Sequence, residues 1–170
     1  SPVDSETPFF SMKKVEGRTL TQILEVERKG GAAYPRQKAL RDFLKICEAV
    51  SLAHSRGVIH RDLKPSNVMI GQFGEVLVMD WGLAKVVDSD LWGEFLVQDS
   101  RVPAEEITED DLGSSEADAT LDGIVQGTVP YMPPEQALGD IEMIDERSDV
   151  YSLGAILYQI LTLLPPVDVL

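Results

Sequence analysis

The chain has 170 residues and is 44% hydrophobic, enough for one packed core and too apolar for a disordered polymer. Its net charge of −14 is placed unevenly: residues 88–122 hold twelve acids against one base, Arg101, so that segment carries −11 and the remainder −3. No clustered Lys and Arg supply a nucleic-acid footprint, no apolar run nears the ~20 residues that span a bilayer, and a single cysteine, Cys47, excludes an internal disulfide.

Taken in chain order, Phe9 to Gly17 reads as a short strand ending at a glycine turn. Thr19-x-x-Gln22 has the form of a capping box, with Leu20, Ile23 and Leu24 as the apolar stripe of the helix it opens. Lys29 to Pro35 is a linker by composition. Leu40, Phe43, Leu44, Cys47 and Val50 then recur at three- and four-residue spacing, which predicts an amphipathic helix that buries the Cys47 thiol. Gly57 is placed to end that helix, and Val58-Ile59 leads into a polar loop, residues 60–67. The only histidines, His54 and His60, read as structural donors and not as metal ligands.

Val68 to Ile70, Gly71 to Gly74 and Glu75 to Met79 read as a hairpin, whose glycines turn chemistry explains in full. After Asp80-Trp81-Gly82 comes the acidic segment, rich in Ser, Asp and Glu and without helical or strand period; it reads as a solvated loop bearing Ser114, Ser115 and Thr120 as phosphorylatable hydroxyls. A Pro-rich block, Gly127 to Gln136, follows. Asp149 then begins an apolar helix with Leu153, Ile156, Leu157, Ile160, Leu161 and Leu164, apolar nearly all round and so expected to be buried on every side, until Pro165-Pro166 stops it.

The loop His60-Arg61-Asp62-Leu63-Lys64-Pro65-Ser66-Asn67 carries the densest chemistry. Pro65 forbids a helix through it and holds Lys64 extended. It gathers an acid that can accept a proton, a cation that can hold an anion and an amide that can ligate a metal. That set suits phosphoryl transfer, which asks for positioning and charge neutralisation more than covalent chemistry.

Four blocks in order carry a family resemblance: His60 to Asn67, Asp80-Trp81-Gly82, Gly127-Thr128 through Pro134-Glu135-Gln136, and Ser148 to Gly154. Together they resemble the eukaryotic-type serine/threonine protein kinases, in the wording common among bacterial members. The resemblance implies an α+β fold: a kinase-like large lobe, mainly helical, with short β-hairpins around the catalytic loop. Residues 1–17 would be the hinge-strand region and 18–170 the large lobe through its central helix, with an acidic activation segment at 80–135. Asp62 would orient a Ser or Thr hydroxyl and accept its proton, Lys64 would neutralise the transferring phosphoryl group, and Thr128 would bridge the two. Asn67 and Asp80 would hold Mg²⁺. Met12 would guard the back of the ATP pocket, Lys13 and Val15 would meet the adenine edge, and Met69 would floor it. Trp81 replaces the commoner Phe and would pack inward as a larger plug. Arg61 is the position that commonly receives an activation-segment phosphate, a role that a carboxylate of the acidic segment could fill here.

By the same resemblance, the chain lacks the glycine-rich phosphate loop, the lysine-bearing strand and the final helices of a whole kinase domain. It therefore reads as an internal fragment that needs a small lobe from an N-terminal part and is inactive alone. The partner of Glu135 would be an arginine beyond the fragment. Protein substrates with Ser or Thr are the implied partners, with no nucleic acid and no membrane segment, and a cytoplasmic compartment is the default. Two rivals remain: a pseudokinase or scaffold that binds without phosphoryl transfer, and a small-molecule phosphotransferase, against which the docking block 127–136 argues.

Overall fold

The first helix forms where its capping pattern places it. In the computed structural model, which describes residues 15–87 and 129–166, Gln22 donates its backbone N–H to Thr19 Oγ1 at 3.2 Å, and Thr19 donates its own to Gln22 Oε1 at 3.0 Å. Helix α1 (Leu20–Arg28) follows and buries Leu20, Ile23 and Leu24, each stabilising the fold by ~1.5–3 kcal/mol. Gly17 serves a different purpose from the predicted turn. Strand β1 (Arg18–Thr19) begins right after it and pairs with β3 (Val68–Ile70), and a Cβ on Gly17 would lie 2.5 Å from the Ile70 carbonyl oxygen. Close approach to β3, and not reversal of the chain, is what demands glycine there.

Strand β3 pairs in turn with β4 (Val76–Val78), giving an antiparallel sheet ordered β1-β3-β4, while β2 (Val58–Ile59) pairs antiparallel with β5 (Lys85–Val86). The hairpin between β3 and β4 is as the glycines predict: Gly71 donates to the Glu75 carbonyl at 2.8 Å, and Gly74 takes a φ of 84°. Lys45 reaches across from the neighbouring helix and donates to the Gly74 carbonyl at 2.7 Å.

Helix α2 (Arg36–His54) forms as expected but turns a different face inward. It buries Ala39, Asp42, Ile46 and Val50, with Phe43 and Cys47 half-buried, whereas Leu40 and Leu44 of the predicted stripe are exposed. The chosen row admits Asp42, which a reading of apolar spacing rejects. Tyr34 and Lys38 make that burial affordable by donating to Asp42 Oδ2, each at 2.5 Å. Helix α3 (Pro134–Ala137) is a single turn.

Helix α4 (Glu146–Thr162) is longer at its start than predicted. Asp145 caps it, accepting from the Arg147 N–H at 2.8 Å, so the helix begins three residues before Asp149. It ends at Thr162, with Leu163 left-handed at φ 60°, before the two prolines can act. Nor is it buried on every side. Leu153, Ile156 and Ile160 join the core together with the polar Ser148, Asp149 and Ser152, but Val150, Tyr151, Tyr158, Leu161 and Leu164 are exposed among the described residues. The buried face carries the hydroxyls and carboxylate because loops on both sides donate to or accept from them.

Candidate active site

The polar loop sits between β2 and β3, two strands whose apolar residues Val58, Ile59, Val68 and Ile70 are all buried. Lys64 is extended (φ −155°, ψ 160°), as the following proline requires, and Pro65–Asn67 makes one 3₁₀ turn. That turn swings Asn67 back toward Asp62. Asn67 Nδ2 donates to the Asp62 carbonyl at 2.9 Å and to Asp62 Oδ2 at 3.0 Å, and Lys64 Nζ donates to the same Oδ2 at 2.7 Å. Both Asp62 and Asn67 are only 7% exposed. One carboxylate oxygen is thus saturated by a cation and an amide, and the other, Oδ1, accepts no hydrogen bond among the described residues.

The loop backbone is strained and held from below. Arg61 has a φ of 69°, a region that costs a side chain-bearing residue about 1–3 kcal/mol. Asp149 on α4, 1% exposed, supplies the compensation: its Oδ1 accepts the Arg61 N–H at 2.9 Å, and its Oδ2 accepts the His60 N–H at 2.8 Å and faces His54 Nε2 at 2.7 Å. An ionised carboxylate only accepts, so His54 Nε2 is the donor. The same logic fixes the tautomer of His60, whose Nε2 lies 3.0 Å from the Met79 carbonyl while its Nδ1 faces the Asp62 N–H at 3.3 Å. Nε2 donates and Nδ1 accepts, so His60 links the Asp62 backbone to the Met79 carbonyl.

Asp80 enters from the other strand. The Met79 N–H donates to the Asn67 carbonyl at 2.8 Å, extending the β3–β4 ladder by one step and setting Asp80 just past it, exposed and left-handed at φ 62°. The amide nitrogen of Asn67 is committed to Asp62 through two bonds. Among the described residues no three His, Cys, Asp or Glu side chains gather into a metal cluster. By donor chemistry alone, the Asn67 amide oxygen and the Asp80 carboxylate are of the kind Mg²⁺ takes, one or two from protein with phosphates and water completing its shell. Trp81 departs from its expected burial: its ring meets His60 at 4.5 Å between centroids but is 37% exposed, with Nε1 donating to the Val78 carbonyl at 3.1 Å. It lies over the loop as a flap, and the indole N–H fixes it there.

A second wall is tied to α4. Tyr131 OH donates to Gln159 Oε1 at 2.6 Å, and Ser152 Oγ donates to the Tyr131 carbonyl at 2.7 Å. Burial pushes the Tyr131 phenol up, and its bond to Gln159 opposes that. Glu135 finds a partner inside the chain, accepting from Ser148 Oγ at 2.5 Å. Of the ATP-pocket residues, Val15 and Met69 are half-buried, Met69 lying between Thr19 and Leu77 in the sheet. Met12, Lys13, Thr128 and the acidic segment with Ser114, Ser115 and Thr120 lie outside the described residues.

Residues 3–169, nearly the whole chain, fit the protein kinase domain. The chain belongs to the protein kinase family. The serine/threonine-protein kinase PknD of Protochlamydia amoebophila is 44% identical over 171 residues, covering 96% of this chain and 16% of that protein. The PknD proteins of Chlamydia caviae and Chlamydia felis are each 37% identical, covering 94% of this chain and 17% of their own length. The chain thus spans about a sixth of the length of the curated relatives it matches. No described helix of this kinase-family chain is long and apolar enough to cross a membrane. Sequence reasoning singled out Asp62, Lys64 and Asn67 of its loop and read His54 as a structural donor, but gave no role to Asp149 or Ser148. A signal was present: an acid and two serines interrupt an otherwise apolar helix, which is the mark of a buried group with assigned partners.

Proposed function

We propose that the protein containing this chain transfers the γ-phosphoryl group of ATP to Ser or Thr hydroxyls of protein substrates. The observation that carries the reading is the buried Asp62 carboxylate, one oxygen held by Lys64 at 2.7 Å and Asn67 at 3.0 Å. Asp62 Oδ1 accepts the hydroxyl proton as the substrate oxygen attacks. Lys64, already within reach, shifts its charge toward the transferring phosphoryl group. Asn67 and Asp80 hold Mg²⁺, which supplies neutralisation of the phosphate charge. Positioning is most of the catalysis in this reaction, so the hold of Asp149 on the His60 and Arg61 amides, just before Asp62, is part of the machinery and not mere scaffolding.

Met12, Lys13, Val15 and Met69 are the adenine-side residues of this reading, and Thr128 joins Asp62 and Lys64 when substrate binds. A small lobe closes over ATP, since the phosphates must be gripped from both sides. The test is Asp62→Asn in the full-length protein, assayed for transfer of labelled γ-phosphate to a Ser/Thr protein substrate. The amide keeps the bond geometry but is no base, so turnover falls by at least about a hundredfold. Wild-type turnover in that variant, with Mg²⁺ present, removes Asp62 from the role.

A further inference from the structure

The chain between the docking wall and α4 has a feature that the catalytic reading leaves unused. Residues 138–143 expose three large apolar side chains within six positions: Leu138 is 84% exposed, Ile141 60% and Met143 58%. Exposed apolar residues scattered singly are ordinary, but a group of them on one short loop marks a contact surface. The loop is held rigidly: the Gly139 and Asp140 N–H groups donate to the Gln136 and Glu135 carbonyls at 3.1 and 2.8 Å, and Lys85 Nζ donates to the Ile144 carbonyl at 3.2 Å. Glu135 is itself tied to α4 through Ser148, and Lys85 lies on β5, whose partner β2 runs straight into the catalytic loop. The apolar loop is therefore mounted on the same frame as Asp62.

Its charge is one-sided. Between the apolar residues stand Asp140 and Glu142, both exposed, and residues 135–147 hold five acids against one base, Arg147, which Asp145 already pairs at 2.6 Å. Complementarity then calls for a partner that is apolar and positively charged at once. We propose that residues 138–143 form a docking surface for protein substrates that carry Lys or Arg beside a large aliphatic or aromatic side chain, outside the residue being phosphorylated. This proposal rests on the kinase reading above and adds the substrate class. The apolar partner residue packs on Leu138, Ile141 and Met143, and Asp140 and Glu142 receive the cationic one at the rim. A rim pair acts mostly on encounter and selection, so the effect belongs in KM for the substrate and not in the chemical step.

The experiment uses the full-length protein and two fluorescent serine peptides of equal length, one with two arginines and a leucine, the other with aspartates in place of the arginines. Binding is read by anisotropy and transfer by labelled phosphate. The basic peptide is expected to bind and to react with kcat/KM at least tenfold above the acidic one. Asp140→Lys with Glu142→Lys should erase that preference, and Leu138→Ser should raise KM for the basic peptide about threefold, with kcat and KM for ATP unchanged in both. All three positions are exposed, so the variants fold. A preference unmoved by the charge reversal, or a patch that is silent to peptide but drives dimerisation in sedimentation, overturns the docking proposal. Tight, charge-dependent binding without any phosphate transfer overturns the kinase reading and leaves the docking surface standing.

Discussion

Two helices of this molecule bury an aspartate, and they use it differently. Asp42 on α2 is 4% exposed and is satisfied by side chains: Tyr34 OH, Lys38 Nζ and, at 3.7 Å, Lys45 Nζ. Asp149 on α4 is 1% exposed and is satisfied mainly by backbone, the His60 and Arg61 N–H groups, with His54 as third donor. The first carboxylate pins a linker to its own helix, with Lys38 also lying 4.9 Å over the Tyr34 ring. The second bonds the amide of Arg61, a left-handed residue next to Asp62. Equal burial therefore does not mean equal consequence: one acid maintains the fold, the other shapes the site.

The sharpest separation should come from Asp149→Ala. Arg61 loses the bond that holds it left-handed, Asp62 shifts, and kcat falls by about a hundredfold or more, the penalty for displacing a catalytic group by ~1 Å. Steady-state assay of the full-length protein beside a circular-dichroism spectrum checks it; unchanged turnover in a folded variant would mean the loop keeps its shape unaided. Asp42→Asn should do the reverse. Turnover stays within about twofold, while stability drops by ~1–3 kcal/mol as Tyr34 and Lys38 lose the carboxylate that accepts from both and keep one neutral amide oxygen between them, read as a lower urea midpoint. A kcat loss there as large as for Asp149 would erase the distinction.

Acidity offers a finer probe. Burial pushes the Asp42 carboxyl up, but hydrogen bonds from Lys38 and Tyr34 outweigh it and hold the group below its ordinary range. A carboxyl lowered in the folded state stabilises above its unfolded value of about 4, and that stabilisation is lost as pH falls through the lower folded value. Asp42→Asn should accordingly flatten the acid limb of the stability profile below pH ~4, and an unaltered limb would show that the carboxylate is not held there. The smallest effect is expected for Tyr34→Phe. Its phenol is pushed far up, by burial first and then by its bond to Asp42, so it stays a hydrogen-bond donor throughout the working pH range. Deleting the hydroxyl costs ~1 kcal/mol, seen as a shift in melting temperature of a few degrees, with activity untouched.

Local rules with a stated mechanism were legible in the residues. The Thr19–Gln22 box, the extended Lys64 before Pro65, the glycine hairpin after Ile70 and the polar set Asp62, Lys64 and Asn67 all stand where the sequence puts them. What was not legible depended on side-chain and backbone partners that apolar spacing does not encode. Periodicity chose the Leu40–Leu44 row of α2 over the row containing Asp42, because spacing cannot see a tyrosine and a lysine arriving to satisfy an acid. Likewise it treated α4 as apolar nearly all round, because apolar spacing does not say that Asp149 will receive the backbone of a loop 88 residues before it. Trp81 was expected to be covered; it stands at the surface, since its indole N–H bonds the nearby Val78 carbonyl.

The separation along the chain between the catalytic loop and its anchor also bears on when the loop acquires its form. The Arg61 amide is bonded to a carboxylate 88 residues further on. At about 5–20 residues per second, a ribosome takes roughly 4–18 s to add that stretch. Through that interval the loop has strands β2 and β3 on either side but no acceptor for its strained amides. Its left-handed turn can become permanent only after α4 has emerged and closed a contact of high sequence separation, a step that loop-closure entropy makes late. The geometry of the 60–67 loop is thus among the last features of this part of the molecule to be completed during synthesis, and a nascent chain stopped before Asp149 carries the loop's residues without its shape.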